Sequence, residues 1–474
     1  MSVPGCLAPA FTYLVLACLG CSFFDPCFDE AVPPAGHEIP FQHDVARFCP
    51  AVARLPRRVL LVHAMNSSGP NAPESTTVGA SILDRGTLVP MPACLPDTPE
   101  DGVDPPAEVP GAFVQLECPR VAAAPGAGGA ALAYSRRYCG SSDCAPDAAL
   151  PADSVRVVFF DSEGCPAADE TGSTSRAVGD EGSDRRLSHV QIVALADGEF
   201  LVTWLSLSHD LRAFDDRIRA RLVSKTPPHF LPNFGSLAGD AVDLEVPDRW
   251  MLSPTTVSLG RDASGQPRFA LVWYACRASG IGAAYVAVFG GSLAPLSDIL
   301  HFDDDTDAEE ALVYKSFATA YDDSTSRLIL AWTRSADDGA LTVNGAVVVV
   351  SPTNTLSLES YRSPNDGPGG NSYSPTVTSL GSDALFFGWA SDRGGGLLSG
   401  RVLHASGRAW YTTFDPGPHA FELTAPSAGS QFSPQSLDAD SRLLLFWTEE
   451  RAGTTATTWR LYDSTISRDE LLRP

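Results

Sequence analysis

The sequence predicts an all-β fold, a β-propeller of seven blades with three to four antiparallel strands each. Three observations carry that expectation. First, a β-like apolar run closing on an aromatic recurs every 57 to 69 residues, at Phe200–Trp204, Ala270–Trp273, Leu328–Trp332, Leu385–Trp389 and Leu443–Trp447. Second, an alternating strand stands ahead of these runs in constant phase, opening on Ser253-Pro254, Ser374-Pro375 and Ser433-Pro434, with Ser188 and Ser316 at matching offsets without the proline. Proline suits a strand's first residue, which needs no ladder donor. Third, no stretch beyond the first twenty residues shows helical periodicity over eleven positions, whereas short strands separated by turn residues are dense.

Taken in order, the chain opens on twenty residues without Lys, Arg, Asp or Glu, and Ala10–Gly20 is an apolar run too short to span a bilayer but long enough for a signal-peptide core. It ends in Val15-Leu16-Ala17-Cys18-Leu19-Gly20-Cys21, so residues 1–21 read as a lipoprotein-type signal with Cys21 or Cys18 as the lipidated residue. Residues 22–54, with Pro26, Pro33, Pro34 and Pro40, read as a tether, of which Ile39 to Phe48 is a candidate ring-closing edge strand beside the last blade. The propeller is expected over 55–474. Extrapolating the period backwards places the first two units on Val59–His63 and Ala131–Tyr134. Within each unit a polar turn joins the first two strands, such as Asp262-Ala263-Ser264-Gly265 or Asp322-Asp323-Ser324, because Asp and Ser bond their own backbone and Gly tolerates positive φ. A third strand follows, for example Arg217–Val223, Ala346–Val350 or Ser399–Leu403. Tandem sandwiches are disfavoured, since a sandwich needs about 100 residues.

These repeats resemble those of bacterial secreted β-propeller lipoproteins, in which Pro-x-Val, an Asp/Gly turn and a Leu-Val-x-Trp strand are followed by a polar segment ending in Arg. The resemblance covers residues 188–463 best. It implies a fold, and the motif is structural, so no activity follows from it.

Composition excludes some functions. With 33 Lys+Arg against 57 Asp+Glu the net charge is −24, and no cluster of basic residues offers the counterion release that nucleic-acid binding needs. Attachment to a membrane is expected only through the lipid. Of eleven cysteines, cleavage before Cys21 and lipidation leave eight, an even set suited to an oxidising compartment. Sequence proximity suggests Cys27/Cys49, Cys94/Cys118 and Cys139/Cys144 as disulfides, and none has zinc-site spacing.

Candidate functional residues are few. An arginine follows the anchor aromatic at Arg136, Arg277, Arg334, Arg393 and Arg451, which would place guanidinium forks around one channel mouth where carboxylates or sulfates bind; acidic neighbours such as Asp392 and Glu450 offer them a purely structural pairing instead. The acidic run holding Asp303, Asp305 and Asp307 is a weak structural Ca²⁺ candidate without the glycine and closing glutamate of an EF-type loop. No other cofactor is expected. Gly126–Ala131 matches a dinucleotide fingerprint only in letters, because a strand rather than a helix follows. No G-x-S-x-G, H-E-x-x-H, P-loop or S-x-x-K motif occurs. The reading is an exported, lipid-anchored, monomeric envelope module, outer-membrane by expectation, that binds a saccharide or an envelope protein without turnover. The alternative is a carbohydrate-active hydrolase or lyase of sialidase-like propeller type, whose acids would come from different blades.

Overall fold

The computed structural model describes residues 37–39, 47–66, 76–91, 113–124, 129–140, 150–167, 175–180, 185–196, 198–208, 216–224, 242–244, 250–276, 282–305, 317–335, 341–362, 371–381, 384–391, 397–404, 421–422, 430–439, 442–452 and 457–467. These residues form strands, turns and connections and no helix. Both lipidation candidates, Cys18 and Cys21, lie outside them.

Seven antiparallel sheets follow one another along the chain. Blade 1 is Arg47–Arg54, Arg58–Asn66 and Thr76–Asp84. Blade 2 has its inner strand in two pieces, Phe113–Leu116 and Arg120–Ala123, both paired to Ala130–Cys139, and continues through Ser154–Phe160 and Ser175–Asp180. Blade 3 is Arg185–Ala196, Glu199–Ser208, Arg217–Ser224 and Val242–Asp243. Blade 4 is Trp250–Arg261, Pro267–Cys276, Gly282–Gly290 and Leu300–Asp305. Blade 5 is Phe317–Asp322, Arg327–Ser335, Leu341–Val350 and Leu356–Arg362. Blade 6 is Ser372–Gly381, Ala384–Ser391, Leu397–His404 and Phe421–Glu422. Blade 7 is Ser430–Ala439, Arg442–Ala452 and Thr457–Ser467, completed on its outer edge by His37–Glu38. Among the described residues the ring-closing strand is His37–Glu38, just ahead of the expected Ile39 to Phe48, of which 40–46 lie outside them, and Arg47–Arg54 serves the first blade as its inner strand.

The inner strands touch in sequence, and that of blade 7 touches that of blade 1, so the sheets close around a central channel. Packing tells the same story. Seven apolar clusters lie one at each junction between successive blades, the seventh joining Ala439, Leu444 and Phe446 of blade 7 to Ile39, Val59 and Leu61. Burying both faces of every sheet is what a ring of twisted sheets achieves. Each anchor aromatic reaches back to the preceding blade: Tyr134 packs at the junction of blades 1 and 2, Trp204 at 2 and 3, Trp273 at 3 and 4, Trp332 at 4 and 5, Trp389 at 5 and 6, and Trp447 at 6 and 7.

The Ser-Pro pairs do not start their strands. Each lies inside an inner strand at a bulge where two residues oppose one: Ser253-Pro254 opposite Trp273, Ser374-Pro375 opposite Trp389, Ser433-Pro434 opposite Trp447. A bulge, like a strand start, leaves an amide unpaired and so accepts proline. In the same register stand Cys49-Pro50 opposite His63 and His189-Val190 opposite Trp204, one residue later than Ser188. Cys49, His189 and Ser374 share a left-handed φ of 53°, 51° and 49°. Blade 2 carries the corresponding interruption at Glu117-Cys118-Pro119 opposite Tyr134 and Ser135.

The polar turns are built as expected. Asp262 Oδ1 accepts from the Ser264 amide (2.8 Å), the Ser264 hydroxyl (2.7 Å) and the Gln266 amide (2.9 Å); the Ser264 hydroxyl bond first, then the Gln266 amide, hold its carboxyl below the usual aspartate range. Asp322 does the same for Ser324 in blade 5.

Candidate functional site

The second strand of each blade ends level with the start of its inner strand, as Arg136 and Arg137 pair with Leu116 and Gln115. Residues just past the anchor aromatics therefore share one end of the ring, and the two candidate arginines among the described residues are both engaged in contacts within the fold. Arg136 is buried in the junction of blades 1 and 2 among Tyr134 and Tyr138, donates to the Tyr138 hydroxyl, and lies with its guanidinium carbon 5.0 Å from that ring's centre. Arg334 is paired with Asp303 across the junction of blades 4 and 5 (3.4 Å). Arg277 and Arg393 lie outside the described residues, as does the side chain of Arg451.

Of the Ca²⁺ candidate only the Asp303 side chain is among the described residues, and it holds two blades together. Asp303 Oδ2 accepts from Trp332 Nε1 (2.8 Å) while Oδ1 faces Arg334, so its carboxylate staples the outer strand of blade 4 to the anchor of blade 5. Among the described residues no three ligating side chains converge on a metal position; Asp307 and the side chain of Asp305 lie outside them. Replacing Asp303 by Ala removes this acceptor from the indole N–H and the guanidinium together, and a loss of about 1–3 kcal/mol is expected in chemical denaturation. An unchanged midpoint would show that water replaces the carboxylate at no cost.

The disulfide pattern is also corrected. Cys49 is bonded to Cys118, not to Cys27, and Cys118 is thereby removed from Cys94; their Cα atoms are 5.2 Å apart. Proximity in sequence was the wrong guide, because bulges at the same level of adjacent inner strands are neighbours across the ring whatever the 69 residues between them. Cys139 and Cys165 are disulfide-bonded as well, and Cys144 lies outside the described residues.

The residue on the N-terminal side of that disulfide leads to a dense charged cluster. Glu117, in the interrupted inner strand of blade 2, accepts at Oε2 from the amide of His189 (2.8 Å), whose left-handed φ marks the bulge of blade 3. Its Oε1 faces Arg186 (3.8 Å) and Arg137 (4.0 Å). Arg137 Nε donates to Asp153 Oδ2 (3.0 Å), and the same oxygen accepts from the Leu187 amide (3.3 Å). Two carboxylates thus hold the inner strand of blade 3 against blade 2. Arg137 is consumed by this work, whereas Arg186, with a side chain 48% exposed, is only loosely paired. Arg120 stands in the field of Glu117 but makes no hydrogen bond among the described residues, and burial lowers its pKa from the ordinary arginine value. His189 presents exposed surface; its Nδ1 is 3.0 Å from Ser188 Oγ and its Nε2 carries no hydrogen bond among the described residues. Enclosure by the surrounding protein lowers the pKa of His189, with Arg120 and Arg186 acting in the same direction and Glu117 opposing. The imidazole is therefore neutral near pH 7, beside two guanidiniums that are charged.

Sequence reasoning singles out none of Glu117, Arg120, Asp153, Arg186 and His189, yet the sequence carries a signal. Blades 4, 6 and 7 put Ser-Pro at the bulge, and blades 1 to 3 break that rule with Cys49, Cys118 and His189. Departure from a structural repeat is where chemistry is freed from the repeat's own packing.

No protein-family model matches the chain, and no curated protein is similar to it in sequence. Solved structures are similar at fold level. A polysaccharide lyase, an ulvan lyase, gives a TM-score of 0.49 at 9% identity over 92% of this chain and 99% of the other. A protein of unknown function from Dyadobacter fermentans gives 0.44 at 13% over 76% and 100%, and a sialidase from Trypanosoma rangeli gives 0.36 at 8% over 92% and 58%. At such identities the site is read from its own residues.

Proposed function

We propose that the protein is an exported, lipid-anchored envelope module that binds an acidic saccharide at the channel end of the junction between blades 2 and 3. One observation carries the proposal: three guanidiniums, Arg120, Arg137 and Arg186, gather with only two carboxylates, Glu117 and Asp153, in a chain whose net charge is −24. An acidic surface repels anions over roughly a Debye length of about 8 Å, so a local cation excess at the junction of blades 2 and 3 is where an anion finds attraction. Planar forks suit carboxylate and sulfate oxygens bidentately, and polysaccharides are the anions of that chemistry an exported protein meets. No helix among the described residues is long and apolar enough to cross a membrane; attachment in this reading falls to Cys21 or Cys18.

The test is titration calorimetry of the Ser22–Pro474 protein, disulfides formed, against oligouronates and sulfated oligosaccharides. Arg120→Ala and Arg186→Ala are each expected to weaken binding about tenfold or more, with affinity falling as salt rises and the melting temperature of Arg186→Ala unchanged. Binding that ignores both substitutions sinks the proposal.

A further inference from the structure

We infer that the same site turns over its ligand, with His189 as the base of a β-elimination on a 4-linked uronate. The inference rests on the acidic-saccharide reading and adds a reaction to it. Removing the proton α to a carboxylate requires a base whose lone pair is available and a neighbouring charge to stabilise the aci-carboxylate that develops. His189 supplies the first: its bulge conformation is held by the hydrogen bond from its backbone amide to Glu117, Nδ1 lies 3.0 Å from Ser188 Oγ, and in the tautomer that carries its proton on Nδ1 the Nε2 lone pair is the base. Arg120 and Arg186 supply the second from the inner strands of blades 2 and 3.

The bonds balance without any co-reactant. Nε2 takes the C5 proton, the C5–H electron pair passes through the carboxylate-stabilised anion into a C4=C5 double bond, and the C4–O4 bond breaks with its pair on the leaving oxygen. The imidazolium then returns the same proton to O4, which regenerates neutral His189 and releases a new reducing-end alcohol and an unsaturated uronate. The groups facing His189 are Glu117 and Arg120 from blade 2 and Arg186 and Ser188 from its own strand, with Arg137 and Asp153 behind Glu117. Enclosure by the surrounding protein on the side away from solvent, helped by Arg120 and Arg186, outweighs Glu117, so the base form persists to a pH below the ordinary histidine value of 6.5. The rate is expected to climb with pH through that lowered pKa and to level off above it.

The experiment incubates the Ser22–Pro474 protein with polyglucuronate, polygalacturonate, alginate and a sulfated uronate polymer. It reads the ultraviolet absorbance of the conjugated double bond, with calorimetry of binding in parallel. Expected are rising absorbance with at least one polymer, loss of at least a hundredfold in rate for His189→Ala and His189→Gln with binding kept within a few fold, and loss of both rate and binding for Arg120→Ala. Binding to a uronate polymer without new absorbance overturns the base assignment and leaves the binding module standing. Turnover undiminished in both His189 variants also overturns it. No binding to any polymer overturns the acidic-saccharide reading itself, and this inference with it.

Discussion

Trp204→Ala is expected to destabilise the protein by about 3–5 kcal/mol, read as a lowered denaturation midpoint at unchanged slope. The indole is wholly buried at the junction of blades 2 and 3 with Phe159, Val178, Leu187 and Phe200. It is also capped by a backbone: a Cβ added at Gly179, in the outer strand of blade 2, would stand 2.6 Å from Trp204 Cζ2. That contact gives the prediction a second arm. Gly179→Ala alone is expected to cost about 1–3 kcal/mol through overpacking. In the double variant, however, the added methyl enters the space the indole vacated, so the combined loss is expected to fall below the sum of the two. Additive losses would mean the two residues do not meet in solution, and the junction would have to be redrawn.

Replacing Cys49 and Cys118 together by Ser is expected to cost about 4 kcal/mol, the chain-entropy value for a loop of this length. The bond spans 69 residues and joins the inner strands of the first two blades at their bulges. Because Glu117 adjoins Cys118 and accepts the His189 amide, the double variant is also expected to bind uronates more weakly than wild type under conditions where both remain folded. Variants are the right probe, since reductant also reaches the disulfides of Cys139 and Cys165. Equal denaturation midpoints for variant and parent would assign the bond no stabilising role.

Much of the architecture was legible without coordinates. Trp204, Trp273, Trp332, Trp389 and Trp447 close the repeated apolar runs in the sequence, and each lies buried at a junction between blades. Even the two faint units, extrapolated to His63 and Tyr134, fall on second strands opposite bulges. The Ser-Pro register was visible too, although its meaning was not: a bulge and a strand start make the same demand on proline, and only the pairing partners separate them.

The site was less legible, for a reason specific to repeats. Arg334 and Arg136 were conspicuous because they recur, and recurrence selects for packing, as their contacts with Asp303 and Tyr138 show. Glu117, Asp153 and His189 recur nowhere. Their meeting depends on hydrogen bonds between residues 72 and 34 positions apart, Glu117 with the His189 amide and Asp153 with the Leu187 amide.

What the sequence by itself determined is everything with a short period: strand alternation, Asp-Ser turns, an aromatic per unit and thus an all-β ring of seven, because local backbone preference and side-chain alternation act within a few residues. What only the tertiary structure decided is which residues face one another across a junction between blades: the Cys49–Cys118 bond, the Asp303 staple and the cluster around His189. Those contacts are set by how twisted sheets stack around the channel, a geometry in which neighbours in space are a whole blade apart in the chain.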